Sequence, residues 1–489
     1  IFNPPTPGLP VYKATEEKFK DALYKDKMAR TFVLGHTRTG LSQKEVIYGN
    51  LDFLDGESGA HVNISGISGV ATKTSYATFL LHSIFSNLES TNKANAHAII
   101  FNVKGEDLMF MDKKNKNIEE DPQSQAMYKA MKIPEAPFTN IQFYSKPQKQ
   151  GSDLTTARRD LPTPKYKNGE IVHEKINDKD AAFSHLLHWT IEDFCKNQYI
   201  RLLFSEEDYS GTQIETLVNT VAYRLKSDYS TGLNSIDACS NMFDLVKVIE
   251  EETDPTDGST GEWFDGRYTE ATWGAFMRRL YNAAHYINDL ISDDNAKGSG
   301  VHFKQTNVTV IDIHQLHGKA QKFVVGVILN ELITDREQTD AGDTNSPVFI
   351  VLDELNKYAP KDSSSQIKEY LVDIAERGRS MNIILIGAQQ TASEIEPRIV
   401  SNSSFRVTGR LDAAEAEKSE YGYLTQAAKT RAKIIQPGTM VVTQPQVPIP
   451  ILLQFPFPAW ATKSSDIPEE QKTVKNRHAE NAQKEKELQ

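Results

Sequence analysis

Short apolar runs that alternate with helical patterns constrain this 489-residue chain more than any other feature. The run 348–352 is apolar along its whole length, and 98–103 is apolar except for Asn102, which indicates strands that are buried on both faces. After Ser75, the residues Leu80, Ile84 and Leu88 keep the spacing of a helix that packs on a sheet. We therefore predict an α/β protein with a mainly parallel sheet that helices cover on both sides. The predicted strands are 61–64, 98–103, 308–313, 348–353, 383–386 and 405–408.

The chain divides into segments of different composition. Residues 145–182 are polar and rich in lysine, with scattered prolines, which is typical of a loop, whereas 183–250 have apolar residues at helical spacing. These stretches interrupt the alternating pattern, so they are predicted to form an insertion in one α/β core. In chain order, we predict an N-terminal β region that is part of a β-barrel (1–60), the first part of the core (61–145), a helical insertion with flexible loops (146–300), the second part of the core (301–463) and a charged C-terminal tail (464–489).

Composition argues against several classes of protein. The two cysteines, Cys195 and Cys239, are far apart and lack the spacing of a disulfide framework or a zinc site; they fit a reducing compartment, so we expect a cytoplasmic location. The longest apolar run, 323–329, falls well short of the roughly 20 residues that span a bilayer, and no signal peptide is apparent. We expect no membrane partner. Because the sequence begins with Ile1 rather than Met, we also expect that the N-terminus of the protein lies further upstream.

The segment 66–75, called the phosphate loop below, follows the strand 61–64 and leads into a helix. A nucleoside triphosphate needs backbone N–H groups around its oxygens, a lysine for the outer phosphates and a hydroxyl for magnesium, and Lys73 and Thr74 can supply the last two. Thr72 stands where the usual pattern G-x-x-x-x-G-K-[ST] has glycine, so a glycine-bearing turn that binds nothing is the alternative. The predicted nucleotide-binding residues of the loop are Gly66, Gly69, Val70, Ala71, Thr72, Lys73, Thr74 and Ser75.

A second motif, Asp353-Glu354, ends the apolar strand 348–353. Ligands of open α/β sheets bind at the carboxyl ends of the strands, so both carboxylates are expected beside the phosphate loop. Asp353, together with Thr74, can hold Mg²⁺, and Glu354 can act as the base that activates the water attacking a γ-phosphate. Alone, this motif is equally typical of a solvated strand end. The two motifs in this order predict a phosphoryl-transfer site.

Further matches occur in a fixed order around these motifs. With them, the chain resembles the HerA family of hexameric ATPases, within the larger group of motors that includes FtsK, over about 60–145 and 300–460. The resemblance implies a RecA-like P-loop NTPase core that binds ATP and Mg²⁺. The chain departs from the family in having Thr72 in place of a loop glycine and in having a shorter N-terminal β-barrel. The matching segments are 61–66, 104–106, 352–360, 375–380 and 386–389.

The resemblance also implies roles for residues outside the two motifs. Arg379 matches the arginine that such motors insert into the ATP site of a neighbouring subunit, where it stabilises transition-state charge. The alternatives are that the nearby Arg377 fills this role or that Arg379 is only a surface charge. Gln389 matches a polar sensor of the γ-phosphate, and Arg410 is a second candidate for nucleotide contact, or else forms a simple ion pair. The implied catalytic set is Lys73, Glu354, Arg379 and Gln389.

An arginine supplied by a neighbour makes hydrolysis depend on a subunit interface, so the resemblance implies a ring, namely a homo-hexamer. HerA relatives move double-stranded DNA through the central channel and act with a partner nuclease; similar bacterial proteins act in anti-phage defence with a nuclease or an NAD-consuming effector. The net charge of −11 shows no general basic surface, so DNA contacts must be local. Lys113, Lys114 and Lys116 are candidates, but acidic residues follow at 119–121, and a solvated loop is the alternative.

Three functions therefore stay open. The first is ATP-driven translocation of double-stranded DNA with an effector protein, which the full set of Asp353, Glu354, Arg379 and Gln389 favours. The second is a nucleotide-stabilised ring that scaffolds an effector with little hydrolysis, which Thr72 and the acidic charge favour. The third is a motor for protein or conjugative substrates, which the lack of a membrane-length apolar segment disfavours.

Overall fold

The computed structural model defines the helices and strands of this chain. It describes residues 7–10, 12, 14–38, 45–54, 56, 58–67, 73–88, 96–146, 165–167, 170–172, 184–205, 213–231, 236, 238–255, 263, 268–292, 300–338 and 346–471. The helices are α1 (Glu16–Ala22), α2 (Lys73–Leu88), α3 (Pro122–Met131), α4 (Ile191–Lys196), α5 (Ile214–Thr231), α6 (Met242–Thr253), α7 (Glu270–Ile287), α8 (Gly318–Gln338), α9 (Gln366–Met381), α10 (Pro397–Ser401) and α11 (Gln426–Ala432). The strands are β1 (Thr31–Thr37), β2 (Val46–Asn50), β3 (Val62–Ser65), β4 (His97–Asn102), β5 (Ile141–Ser145), β6 (Lys165–Lys167), β7 (Glu170–Val172), β8 (Ser184–Leu186), β9 (Trp189–Thr190), β10 (Ile291–Ser292), β11 (Val308–Asp312), β12 (Val348–Asp353), β13 (Ile383–Gln389), β14 (Phe405–Thr408), β15 (Thr439–Gln444) and β16 (Val447–Gln454).

One large mixed sheet organises the described residues. Its strands lie in the order β2-β1-β16-β15-β14-β3-β13-β12-β4-β11-β5-β8. Every neighbouring pair from β14 to β8 is parallel, whereas the pairs from β2 to β14 are antiparallel. The strands predicted from unbroken apolar runs all lie in the parallel part, so the prediction of a mainly parallel sheet is confirmed.

Helices cover both faces of this sheet. Alternate residues of β12 point to opposite faces, because side chains alternate along a strand. The ring of Phe349 lies 6.1 Å from that of Phe85 on α2, in a buried cluster that includes Leu80 and Ile84. Ile350 lies in a second buried cluster, which contains apolar residues of α8 and α9. Each fully buried leucine or isoleucine contributes about 1.5–3 kcal/mol relative to exposure, so both layers stabilise the sheet.

The described N-terminal strands belong to the large sheet. β1 pairs antiparallel with β16, with His36 opposite Gln454, and β2 pairs with β1 at the outer edge of the sheet. The strands described within 1–60 therefore extend the central sheet, and a β-barrel over 1–60 stays a prediction. The physical reason for this pairing is that β16, from the far end of the chain, offers a backbone edge to β1, whose N–H and C=O groups need partners. Alternating residues in the sequence cannot reveal which strand supplies that edge.

The segment predicted as an insertion, 146–300, packs against the sheet. This segment contributes the strand β8 to the large sheet, where β8 pairs in parallel with β5. Its helices share the buried cluster of α8 and α9. At this junction the carboxylate of Glu331 on α8 accepts hydrogen bonds from Trp189 Nε1 at 2.7 Å and from the Tyr199 hydroxyl at 3.1 Å. The insertion and the core are thus joined through buried polar contacts as well as apolar ones.

The apolar interior contains both cysteines. Cys195 and Cys239 are buried in the cluster of α8 and α9, and neither is joined in a disulfide. Burial raises the pKa of the Cys195 thiol, so this residue is a poor nucleophile. The long helix α8, with 21 residues, also lies in this interior. In the part of the chain that the structure describes, no helix is both long and apolar enough to cross a bilayer.

The start of the predicted C-terminal tail is structured. Asp466 is buried and accepts hydrogen bonds from Asn117 Nδ2 at 3.1 Å and from Thr462 Oγ1 at 2.9 Å. Ile467 is buried beside it. The first residues of the predicted charged tail, 464–489, are thus ordered against the core, and 472–489 lie outside the described residues. One buried isoleucine and one satisfied carboxylate order this segment, a local effect that average composition does not show.

Gly378 allows α9 to pack closely on β13. A Cβ atom at this position would lie 2.6 Å from Ile383 O and 2.9 Å from His61 Cε1. Gly378→Ala ordinarily gains up to about 1 kcal/mol of helix propensity, but we expect a net loss of about 1–3 kcal/mol because the helix must move off the strand. Thermal or denaturant unfolding measures this change. Gly274→Ala in α7 is the control, since its Cβ would meet nothing within 4 Å; equal effects of the two substitutions would contradict the packing argument.

Candidate functional site

The carboxyl ends of the parallel strands meet at one edge of the sheet, where a cavity of about 710 Å³ opens. The turns after β3, β4 and β12 bring charged side chains to the same end of this cavity, which is the place where open α/β sheets bind ligands. Apolar and aromatic residues form its other end. The charged and hydroxyl-bearing lining at the first end includes Lys73, Thr74, Ser75, Lys104 and Glu354, and the apolar lining includes Leu108, Met127, Phe455 and Phe457.

The start of the phosphate loop is held by the neighbouring strands. Gly66 N donates to Gln389 O at 3.1 Å, and Ile67 N donates to Arg410 O at 2.7 Å. A Cβ atom at Gly66 would lie 3.2 Å from Arg410 O, so glycine permits this close approach. The Arg410 side chain is exposed beside the loop, and its predicted nucleotide contact stays a prediction. The other predicted loop residues, Gly69, Val70, Ala71 and Thr72, lie outside the described residues.

Lys73 begins α2 and is buried beneath the loop. Its Nζ donates to Gly66 O at 2.6 Å, and only 5% of the residue is exposed. Burial lowers the pKa of Lys73 to about 8, although the negative charge of Asp353 acts in the opposite direction. The amino end of a 16-residue helix carries a partial positive charge. An ammonium group and a helix amino terminus at one place favour an anionic ligand, as predicted for a phosphate site.

Thr74 and Asp353, which are 279 residues apart in sequence, lie in direct contact. Thr74 Oγ1 donates to Asp353 Oδ2 at 2.9 Å. Asp353 is 3% exposed, and its other oxygen, Oδ1, accepts a hydrogen bond from Glu354 N at 2.9 Å. One hydroxyl and one carboxylate are the oxygen ligands that Mg²⁺ prefers. The two residues predicted to hold the ion are thus brought together and fit it chemically.

Glu354 occupies a different environment from its neighbour Asp353. Its backbone is left-handed, with φ 57° and ψ 47°, before a short 3₁₀ helix at Leu355–Lys357. A residue other than glycine pays on the order of 1–2 kcal/mol for this conformation, and such strain concentrates at functional sites. The Glu354 side chain is 36% exposed and lines the cavity, whereas that of Asp353 is 4% exposed. A solvent-accessible carboxylate beside a buried one suits the predicted division between base and metal ligand.

Lys104 is a charged residue of this site to which the sequence motifs assigned no role. Its Nζ lies 2.7 Å from Asp353 Oδ2 and 3.6 Å from Glu354 Oε1. The turn that places it is stabilised by Asn102 Nδ2, which donates to Gly105 O at 2.8 Å. Burial alone would lower the pKa of Lys104, but the hydrogen bond and charges of the two carboxylates outweigh it and raise the pKa. The sequence signal for this role was that Lys104 closely follows a buried strand. Only the structure shows that this strand, β4, neighbours β12.

Gln389 lies at the end of β13, but its side chain points towards the neighbouring strand β3 and away from the cavity. Its Nε2 donates to Asn63 Oδ1 at 2.8 Å, and the residue is fully buried. Among the described residues that line the cavity, Gln389 is absent, whereas the exposed Gln390 is present. The sequence pattern alone does not distinguish Gln390 from Gln389, because one position along a strand decides which way a side chain points. A direct contact of Gln389 with phosphate stays a prediction, and the geometry favours Gln390 for it.

Arg379 lies far from the phosphate loop of its own chain. The helix α9 has 16 residues and spans about 24 Å, and it returns from the cavity edge of the sheet to the opposite edge. There the exposed Arg379 donates through Nε to Gly56 O at 3.3 Å. Arg377 instead pairs with Glu337 at 2.7 Å and Asp373 at 3.2 Å. Arg377 would have to give up these two ion pairs before it could act on a neighbouring chain.

The architecture is shared with solved structures. No family model and no curated protein matches the sequence. VirB4 of Thermoanaerobacter pseudethanolicus matches with a TM-score of 0.51 and 11% identity, over 88% of this chain and 97% of that chain. Plasmid coupling protein TrwB, in complex with ADP and Mg²⁺, matches with a TM-score of 0.52 and 10% identity, over 90% of this chain and 97% of that chain. The chain has the RecA-like P-loop α/β fold.

In this RecA-like sheet the lysines predicted to contact DNA lie on the connection after β4. Lys113 Nζ lies 3.5 Å from Asp112 Oδ2, and Lys114 Nζ lies 2.8 Å from Glu119 Oε1. Lys116 is exposed. Two of the three lysines already have carboxylate partners, so the geometry favours the solvated-loop alternative for them. Their contact with DNA stays a prediction.

Proposed function

We propose that this chain is a Mg²⁺-dependent ATPase. The observation that carries this proposal is the contact of Thr74 Oγ1 with Asp353 Oδ2 at 2.9 Å, at the mouth of a cavity that Lys73 and Glu354 also line. The TrwB structures in complex with ADP and Mg²⁺, and with the ATP analogue ADPNP, support the choice of nucleotide and ion. The aromatic end of the cavity, with Phe455 and Phe457, is suitable for a nucleobase.

The proposed reaction is the attack of water on the γ-phosphorus of ATP, with cleavage of the bond to the β-phosphate oxygen. Lys73 would exchange its hydrogen bond to Gly66 O for the outer phosphate oxygens and hold them by charge. Glu354 lines the cavity, so it can orient the water and take its proton. Thr74 and Asp353 would hold Mg²⁺, which neutralises charge on the phosphates when it is bound.

We further propose that the chain acts as a ring. Arg379 is exposed at the edge of the sheet opposite the cavity, so it can stabilise transition-state charge only in the site of another chain. From the resemblance to the HerA family, we propose that this ring is a homo-hexamer in the cytoplasm and that it moves double-stranded DNA through its centre. The same resemblance implies that the ring works with an effector protein, either a nuclease or an NAD-consuming enzyme, in DNA processing or anti-phage defence.

A second candidate is a nucleotide-stabilised ring that scaffolds an effector and performs little translocation. Thr72, in place of the loop glycine, favours slow turnover. The ion pairs of Lys113 and Lys114 leave fewer cations for a DNA channel. The two candidates differ in whether double-stranded DNA accelerates ATP hydrolysis.

Lys73→Ala tests the proposal. We expect the wild-type chain to hydrolyse ATP with Mg²⁺ and double-stranded DNA to stimulate it, while Lys73→Ala lowers nucleotide affinity by at least about tenfold, since a buried cation is lost from the phosphate site. Equilibrium binding of a fluorescent ADP and steady-state phosphate release measure these effects. Lys322→Ala, at an exposed lysine of α8, is the control and should leave both unchanged. Wild-type protein that binds no nucleotide would refute the ATPase, and turnover that DNA does not change would favour the scaffold.

A further inference from the structure

Asp353 has a cation partner within its own chain. The carboxylate is 3% exposed, and a buried charge is costly unless an opposite charge and hydrogen bonds compensate it. Oδ2 accepts from Thr74 Oγ1 at 2.9 Å and from Lys104 Nζ at 2.7 Å, while Glu354 Oε1 lies 3.6 Å from the same Nζ. The ammonium of Lys104 therefore supplies the positive charge that a metal ion would supply to these two carboxylates.

Lys104 and the proposed Mg²⁺ share one oxygen atom, Asp353 Oδ2. The proposed ion needs Thr74 and Asp353, and the atom of Asp353 that contacts Thr74 is the one that Lys104 Nζ contacts. An ammonium and a divalent cation at one carboxylate repel each other, and solvent screens this repulsion only in part because the site is partly solvated. The Lys104 side chain is 39% exposed and lines the cavity, so it has room to leave. Asp107, which lines the same cavity, is an alternative partner for it.

We propose that Lys104 is an internal competitor of Mg²⁺ for Asp353. In the chain without nucleotide, its ammonium compensates Asp353 and Glu354. Binding of the nucleotide with Mg²⁺ displaces it, and it returns to Asp353 when the ion leaves with the product. This inference rests on the proposed ATPase function. Its consequence is that the chain needs a higher Mg²⁺ concentration to bind nucleotide than the same site would need without Lys104, and that release of the ion is easier.

Lys104→Met tests this competition, because methionine keeps an unbranched apolar stem of similar length and removes the charge. The affinity for a fluorescent ADP is measured over a series of free Mg²⁺ concentrations at constant ionic strength. We expect the Mg²⁺ concentration for half-maximal binding to fall by about tenfold in Lys104→Met, since one like charge is removed from a partly solvated site. Lys104→Arg keeps the charge and should stay within about twofold of the wild type.

Two further variants control for poor folding and for the loss of a positive charge in general. Lys104→Gln can still donate a hydrogen bond to Asp353 and repeats the charge removal if Lys104→Met folds poorly. Lys129→Met removes an exposed charge on α3, in the same connection between β4 and β5, and should leave the Mg²⁺ requirement unchanged. As a readout without nucleotide, MgCl₂ should raise the Tm of Lys104→Met more than that of the wild type, relative to NaCl of equal ionic strength.

The possible results separate this inference from the proposed function. An unchanged or higher Mg²⁺ requirement in Lys104→Met and Lys104→Gln would overturn the competition. Equal losses of nucleotide affinity with Mg²⁺ and with EDTA would also overturn it, because Lys104 would then be a phosphate ligand. Wild-type protein that binds no nucleotide at any Mg²⁺ concentration would refute the ATPase itself. A wild type that binds nucleotide and a variant that behaves identically would refute only the role of Lys104.

Discussion

Glu354→Gln is expected to lower ATP turnover by at least about a hundredfold, because a positioned general base typically contributes a factor of 10²–10⁴. The amide keeps the size of the side chain, and Lys73, Thr74 and Asp353 are unchanged, so nucleotide affinity should stay within about threefold of the wild type. Steady-state phosphate release and equilibrium nucleotide binding, measured on the same preparation, report the two effects separately.

The matched control for this substitution is Glu369→Gln, which changes an exposed glutamate on α9 in the same way. It should leave both turnover and binding unaltered. If the Glu354→Gln protein hydrolysed ATP at the wild-type rate, Glu354 would not be the base that activates the attacking water. A loss of nucleotide binding together with turnover would instead assign Glu354 to ground-state contacts, since its backbone strain and its 3.6 Å approach to Lys104 make it part of the local charge balance.

Arg379→Ala is expected to lower turnover by about a thousandfold, the lower end of the effect of an arginine that stabilises transferred phosphate. The affinity of the chain for nucleotide should change little, because α9 carries Arg379 to the sheet edge opposite the cavity. Arg377→Ala is the control. It breaks the exposed ion pairs with Glu337 and Asp373, each worth about 0–1 kcal/mol, and should retain most of the activity.

A mixing experiment tests whether Arg379 acts on a neighbour. A Lys73→Ala chain has an intact Arg379 but a damaged site, and an Arg379→Ala chain has an intact site but no arginine to offer. Mixed assemblies should recover activity at interfaces where the first chain supplies Arg379 to the second. Phosphate release by the mixture that does not exceed the sum of the separate variants would contradict action in trans, provided that both variants assemble like the wild type.

The parts of the fold that follow local pattern were predictable. The buried parallel strands were visible because burial on both faces requires an unbroken apolar run, and β12 and β13 contain such runs. The phosphate loop and the Asp353-Glu354 pair were visible because strand, loop and helix follow directly in sequence. The rule that ligands bind at the carboxyl ends of parallel strands then placed both motifs at one edge.

Features that depend on long-range pairing were not predictable. The pairing of β1 with β16 joins the two ends of the chain, and nothing local in either strand names its partner. The role of Lys104 depends on β4 lying beside β12, and the orientation of Gln389 depends on the register of β13 against β3. A shift of one residue in such a register turns a side chain to the other face, so Gln389 and Gln390 exchange roles.

By itself, the sequence determined that this chain forms a mainly parallel α/β sheet with a phosphate loop and a pair of carboxylates, because these features arise from periodicity and from residues adjacent in the chain. Only the tertiary structure decided which groups share Asp353, since Thr74 reaches it from the start of α2 and Lys104 from the turn after β4, each within 3 Å. Contacts at that distance depend on strand order and on packing, which are properties of the whole folded chain.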